Sequence, residues 1–281
     1  MADNKKGLNY ISELNLSRDP FAPEPNLTFY YEYEALENTS AMLNRLVEGD
    51  EIIILIIGEA GSGKTSLLKR YLTASIAGWK TGYIRIQPEV RSQTEQQDRF
   101  SEEEIDNFPA YFLQDIKDSI IIIDDAHRLS TTQLTYVLKN SQLSSNSANV
   151  KRFILFGEPR LVDSVNTLTE SLSSEIAISK IFMPPMTREQ TTGYLNYRLA
   201  VAGYIGRRVF SESTIKRIHR LSGGLPGGVN AMADQRLKEN FSEEKQRQNG
   251  LRGWIQKNQK ALSWSAAGVA VAMIAVLAGF Y

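Results

Sequence analysis

Glu51-Ile52-Ile53-Ile54-Leu55-Ile56-Ile57-Gly58-Glu59-Ala60-Gly61-Ser62-Gly63-Lys64-Thr65-Ser66-Leu67-Leu68 is the stretch on which the fold turns. Its apolar, β-branched run predicts a strand that stops at Gly58. Gly58 to Thr65 then match GxxxxGK[ST], and a helical spacing of apolar residues follows. Gly58, Gly61 and Gly63 permit backbone angles at which successive N–H groups turn inward around phosphate oxygens. Glu59, Ala60, Ser62 and Ser66 complete the candidate nucleotide-binding loop. Lys64 is expected to reach the β- and γ-phosphates and the Thr65 hydroxyl to bind Mg²⁺, while the helix N-terminus adds its partial positive charge.

Ser119-Ile120-Ile121-Ile122-Ile123-Asp124-Asp125-Ala126-His127-Arg128 is the second informative stretch. Four consecutive isoleucines predict a strand buried on both faces of a parallel sheet, with two carboxylates at its C-terminal end, where α/β folds bind ligands. Joined to the phosphate loop, Asp124 fits the acid that helps hold Mg²⁺, and Asp125 the one that orients or activates an attacking water. Read alone, the same pair fits a helix cap.

The 281 residues are 42% hydrophobic and 23% charged, with Lys+Arg 32 balancing Asp+Glu 32. No global field draws such a chain to nucleic acid, although a local basic patch remains open. The absence of cysteine excludes disulfides, cysteine-ligated zinc and thiol nucleophiles. The polar start, MADNKKGLNY, is not a secretory signal peptide.

Residues 1–33 read as an extended N-terminal arm, because Pro20, Pro23 and Pro25 oppose helix. Its aromatics, Phe21, Phe29, Tyr30 and Tyr31, either pack on the main domain or help build a purine pocket. Residues 34–185 read as the α/β core, with a helix from Glu34 to Val47, one after the phosphate loop to about Ala77, and strands at Thr81–Ile86, Arg152–Phe156 and Ile176–Met183. A helix carrying Leu129, Leu134, Val137 and Leu138 is followed by an expected loop over Ser141–Asn149, and a short helix is expected around Pro109–Ile116. Glu158, after the fourth strand, is a candidate γ-phosphate sensor or a plain turn residue. His127 and His219 are isolated and read as structural.

Residues 186–241 read as three short helices forming a lid. Thr187-Arg188-Glu189-Gln190 is a capping box, Ser211 opens a second helix with Ile215, Ile218 and Leu221, and a third starts near Pro226. Residues 242–260 form a charged linker with Lys245, Arg247, Arg252, Lys257 and Lys260. Ala261 to Tyr281 has no charged residue and carries Trp264 near one end and Phe280 and Tyr281 at the other. At about 1.5 Å per residue it is just long enough to span a hydrocarbon core of about 30 Å. The basic flank places the preceding domain in the cytoplasm, giving a single-pass inner-membrane protein that is either tail-anchored or cut at the membrane exit. Small residues four apart, Gly268 and Ala272 and again Ala275 and Gly279, give weak support for helix self-association.

Arg18-Asp19-Pro20-Phe21, the phosphate loop, Asp124-Asp125-Ala126-His127, Leu155-Phe156-Gly157-Glu158, Tyr194…Tyr197-Arg198-Leu199…Gly203 and Ser222-Gly223-Gly224-Leu225-Pro226-Gly227-Gly228-Val229-Asn230 together resemble the ExeA/GspA-type branch of the AAA+ ATPases. Within it the likeness is greatest to the ATPase module of DamX-like division proteins, whose peptidoglycan-binding SPOR domain has no counterpart here. The resemblance implies a P-loop NTPase core with a C-terminal lid, ATP and Mg²⁺ as ligands, a homo-oligomer, and partners in an envelope assembly, either the division septum or type II secretion. Three positions depart from the family. Asp125 stands where many relatives carry Glu, and Gly227 where many carry a lid arginine. Lys180 is the nearest match to an arginine finger for a neighbouring subunit, which makes it a candidate catalytic residue. Loss of such a finger can cost about 10³ to 10⁵ in rate, so slow hydrolysis is expected. The alternatives are an ATP-gated scaffold without turnover and a DNA-handling ATPase of the transposition-regulator kind. Zero net charge and the membrane segment weigh against the last, so nucleic acid is not an expected partner.

Overall fold

The computed structural model describes residues 9–49, 51–73, 80–86, 119–145, 151–172 and 176–242. Five strands, β1 (Ile53–Ile57), β2 (Lys80–Arg85), β3 (Ser119–Asp124), β4 (Lys151–Gly157) and β5 (Ile178–Phe182), form one parallel sheet in the order β2-β3-β4-β1-β5. β1 thus lies inside the sheet, Ile54 opposite Ile154 on one side and Ser179 on the other. Every residue of β1 and β3 is buried, as continuous aliphatic runs require when helices cover both faces.

Alternation along each strand divides these residues between two cores. Ile54, Ile56, Ile120, Ile122, Ile154 and Phe156 face one core, shared with α2 (Glu34–Glu48), α3 (Lys64–Thr73), the arm and the C-terminal helices. Ile53, Leu55, Ile57, Ile121, Ile123 and Leu155 face the other, covered by α4 (Thr131–Ser145) and α5 (Arg160–Ser171). Each such side chain contributes about 1.5 to 3 kcal/mol on burial. The α2 helix stops at Gly49, and the buried Arg152 guanidinium donates to the carbonyls of Val47 and Gly49 at that end. β4 is thereby tied to the segment that leads into β1.

Two local expectations change. α4 runs through Ser145 and takes in the start of the expected loop, because Ser141 is buried and its hydroxyl donates to the Leu138 carbonyl at 2.6 Å. The polar residue thus continues the stripe of Leu134, Val137 and Leu138. The arm is not wholly extended: a short helix, α1 (Asn9–Glu13), and a 3-10 turn, Leu27–Phe29, flank the prolines. The expected Pro109–Ile116 helix lies outside the described residues. So does the apolar segment 261–281; among the described residues no helix is long and apolar enough to cross a membrane.

The C-terminal helical unit comprises α6 (Arg188–Val201), opened by a complete Thr187/Gln190 capping box, α7 (Glu212–Ser222), and a helix described over 226–242. Gly223 ends α7 at φ +61 and Gly224 follows at φ +75, values at which glycine carries no side-chain penalty. The arm clamps this unit: Ser17 N–H donates to the Ala202 carbonyl at 2.8 Å, and the fully buried Tyr10 hydroxyl lies 2.9 Å from both Asp19 and Asp234. Burial and those two carboxylates push the Tyr10 phenol far above its ordinary range. Tyr10→Phe would leave both carboxylates without their shared donor, a cost of about 1 to 3 kcal/mol. A midpoint of thermal unfolding lowered by several degrees is the expected outcome, measured by circular dichroism.

Candidate functional site

Parallel strands all point their C-terminal ends the same way, so the loops after β1, β3 and β4 converge at one edge of the sheet. The glycine-rich loop leaves β1 there. Gly61 and Gly63 adopt φ +78 and +96, and a Cβ on Gly58 would collide with Ser62 Oγ and Met183. Lys64, first residue of α3, is buried and donates its ammonium to the carbonyls of Gly58 (2.7 Å) and Glu59 (2.9 Å). Burial lowers its pKa, opposed by the charges of Glu158, Asp125, Asp124 and Glu59.

β3 delivers the acids. Thr65 Oγ1 donates to Asp124 Oδ2 at 3.1 Å, and the Asp125 N–H donates to Asp124 Oδ1 at 3.0 Å. Asp124 is fully buried; burial and the neighbouring Asp125 charge raise its pKa, while the two donors oppose the rise. A hydroxyl and a carboxylate in contact form an oxygen donor set suited to a hard cation such as Mg²⁺. Among the described residues no three His, Cys, Asp or Glu side chains gather as a metal cluster. The oxygen donors that this edge itself offers a cation are those of Thr65 and Asp124.

Asp125 sits at φ +57 and begins the 3-10 turn Ala126–Arg128, a left-handed conformation that Asp tolerates better than most residues. Its carboxylate faces Arg85 at the end of β2, 3.5 Å from Nε, which also stands 4.0 Å from Asp124. Glu158, after β4, shares the site. Its N–H donates to His127 Nδ1 at 3.4 Å, and its Oε1 lies 3.5 Å from His127 Nε2. Burial lowers the His127 pKa, against the pull of Glu158, which suits a neutral ring accepting at Nδ1. His127 thus links the turn carrying Asp125 to the residue proposed as sensor.

Several of these groups, though not Asp124 or His127, line a cleft of about 410 Å³. Ala60 to Ser66, Asp125, Arg85 and Glu158 form its floor; Phe29, Tyr31, Tyr194, Arg198 and Asn230 line its side toward the arm and the helical unit. The arm aromatics pack on the main domain, as one of the two readings has it: Phe29 is buried and Tyr31 contacts the rings of Tyr33, Tyr194 and Tyr197, and both line the cleft. Arg198 is buried, donates to the Pro20 carbonyl and to Tyr194 Oη, and lies over the Phe29 ring.

Lys180 stands apart. It lies on the edge strand β5, where its ammonium donates to Asn166 at 3.1 Å, and it does not line the cleft of its own chain. Gly227 is directly involved: its N–H donates to the Gly61 carbonyl at 2.8 Å, joining the helical unit to the phosphate loop backbone to backbone. Sequence reasoning missed Arg85, Tyr194, Arg198 and Asn230 as cleft residues. For Arg85, the one available signal was its place at the end of a strand paired with β3.

Residues 47–165 match the family model described as AAA domain. The General secretion pathway protein A of Aeromonas hydrophila is 24% identical over 249 residues, which are 83% of this chain and 45% of that protein. The chain thus spans less than half the length of this curated relative. Among solved structures, the Aeropyrum pernix ORC1 protein in complex with DNA aligns with a TM-score of 0.52 at 14% identity, over 81% of this chain and 65% of that one. The S. cerevisiae Hsp104:casein complex aligns at 0.52 and 13%, over 84% and 42%. At these identities the likeness is one of fold.

A Cβ on Gly227 would lie 2.8 Å from Gly61 Cα and 3.2 Å from its carbonyl oxygen, both backbone atoms that cannot turn aside. Gly227→Arg, which restores the residue type common in the resembling family, is therefore expected to weaken Mg²⁺-ATP binding by about tenfold, or about 1.4 kcal/mol, without raising turnover. Titration calorimetry beside a phosphate-release assay checks this.

Proposed function

We propose that the chain binds Mg²⁺-ATP in this cleft and hydrolyses it slowly, a reading supported by the match of residues 47–165 to the AAA domain model. It does so as the cytoplasmic module of a membrane-anchored envelope machine. The observation that carries the reading is the 3.1 Å contact between Thr65 and Asp124, beside a buried Lys64 in the same loop. The loop amides and Lys64 would hold the phosphates, Thr65 and Asp124 the cation, and the aromatic side of the cleft the base. Bound Mg²⁺ would supply neutralisation of charge on the transferring phosphoryl group. Asp125 would orient the water, and Glu158 would report on the γ-phosphate.

The name of the Aeromonas relative favours secretion over the division septum as the assembly served. In this proposal residues 186–241 are the lid, 242–260 the linker, and 261–281 the single inner-membrane span. The chain would act as a homo-oligomer, for which the exposed Phe182, next but one to Lys180 on β5, offers a contact at the sheet edge.

Saturable Mg²⁺-ATP binding by the wild-type chain, abolished in Lys64→Ala, is the expected result; binding that survives Lys64→Ala would sink the proposal. Two features favour a second reading as an ATP-gated scaffold: Asp125 is a methylene shorter than Glu and is held by Arg85. Turnover separates the two. A slow wild-type rate that falls at least about tenfold in Asp125→Asn, about 1.4 kcal/mol of barrier, supports hydrolysis. No wild-type turnover, with a measurable rate in Asp125→Glu, supports the scaffold.

A further inference from the structure

The charges of the lid are unevenly matched. Each of its described carboxylates has a basic partner: Glu189 with Arg188 (3.2 Å), Glu212 with Arg208 (3.6 Å), Glu239 with Arg236 (3.3 Å) and Asp234 with Lys238 (2.6 Å). Arg198 is buried against the arm. Four cations remain, Arg207, Lys216, Arg217 and Arg220, all exposed and all without an ion pair among the described residues. Three of them lie on α7. At 100° per residue, Lys216, Arg220, Ser213, Arg217 and Leu221 fall in succession within an arc of about 140°, opposite the buried Ile215, Ile218 and Ser222. Like charges spaced three and four apart on a helix repel one another, and the acids nearest to these cations, Glu212 and Glu239, already pair with Arg208 and Arg236.

Aliphatic groups accompany the charge. Leu221 is 53% exposed at the end of the arc, and Ile205 is 99% exposed in the loop leading into α7. That loop is braced: the Tyr204 hydroxyl donates to the Arg207 carbonyl at 2.9 Å, and Arg208 pairs with Glu212 in the first turn of α7.

We propose that this basic face of α7, with Ile205 and Leu221 beside it, docks the lid on an anionic phospholipid bilayer. Charge complementarity is the first argument: guanidinium and ammonium groups pair with lipid phosphates while neighbouring aliphatics enter the headgroup layer. Chain order is the second. The helix over 226–242 leads into the basic residues Lys245 to Lys260 and then the uncharged 261–281, so the lid is the folded unit nearest in sequence to the bilayer. This second argument rests on the membrane-anchored reading given above. Docking α7 would hold the lid at the membrane while the phosphate loop stays with the core. Lipid composition would then act on the Gly227–Gly61 contact and so on the cleft.

Because the chain has no cysteine, Ser213→Cys offers a single labelling position within the arc. The full chain with an environment-sensitive fluorophore there is reconstituted in vesicles of phosphatidylcholine, alone or with one phosphatidylglycerol in four. A blue shift only with phosphatidylglycerol, reversed by high salt, is expected. Lys216→Glu/Arg217→Glu/Arg220→Glu, whose residues do not line the cleft, should bind Mg²⁺-ATP as wild type does and need at least about tenfold more phosphatidylglycerol for the same shift. Equal emission in both vesicle types overturns the proposal, as does a shift retained in the charge-reversed chain. So does a larger shift with duplex DNA than with vesicles at equal phosphate. Flotation separates the two readings. A chain that fails to float with phosphatidylcholine vesicles loses its membrane span, and the shift on adding phosphatidylglycerol vesicles still decides the lid contact.

Discussion

One hydrogen bond organises the molecule: the Thr65 hydroxyl donating to Asp124 across 59 positions of sequence. It requires that the helix after β1 and the end of β3 meet, yet the two strands are not neighbours, because β4 lies between them. The meeting is possible because β1, β3 and β4 run parallel and in register, Leu55 opposite Leu155 and Leu155 opposite Ile123. A slip of one residue would turn each aliphatic side chain toward the wrong core and move Asp124 from the edge of the sheet. The two aliphatic cores therefore hold the donor set in place, and this edge of the sheet gets its precision from packing as well as from its own hydrogen bonds.

The second constraint is steric. Where the phosphate loop meets the helical unit, Gly61 lies against Gly227 with a backbone hydrogen bond between them, and the Pro226 ring approaches Gly63. An arginine at this position would reach a nucleotide through a long side chain. A glycine brings the backbone of the helical unit to the loop, so the position of that unit is coupled to the phosphate loop by contact. The arm reinforces this by clamping the lid at Ser17, Tyr10 and the Arg198 guanidinium. The cleft is thus bounded by three segments far apart in sequence, each held by the others.

What could be read beforehand follows from how local each signal is. The phosphate loop, the acids after β3, the Thr187/Gln190 capping box and the strand from Arg152 are carried by contiguous residues, and their types and spacing suffice. The parts of the cleft that escaped reading are tertiary. Arg85 looks like any exposed strand-end arginine until β2 is laid against β3. Tyr194, Arg198 and Asn230 acquire their place only when the arm crosses the lid. His127 looked isolated for the same reason: its partner, Glu158, is 31 residues away. Leu221 shares the helical spacing of Ile215 and Ile218, yet α7 turns it outward.

The charges at the sheet edge suggest why this site would be slow. Asp124, Asp125 and Glu158 crowd one side of the loop, and three cations near them are already engaged, Lys64 with two loop carbonyls, Arg85 with Asp125, and Arg160 with Glu158, while Arg128 also lines the cleft. A nucleotide's phosphates must compete for Lys64 and Arg85 before either can stabilise a transferring group, and each exchange offsets part of the binding energy. Catalysis needs charge stabilisation already aimed at the transition state. Here the cations are aimed at the protein's own oxygens, a layout that favours holding nucleotide over turning it over. The missing assistance would have to come from Arg128, which lines the cleft, or, in the proposed oligomer, from a second copy at the exposed edge strand with Lys180 and Phe182.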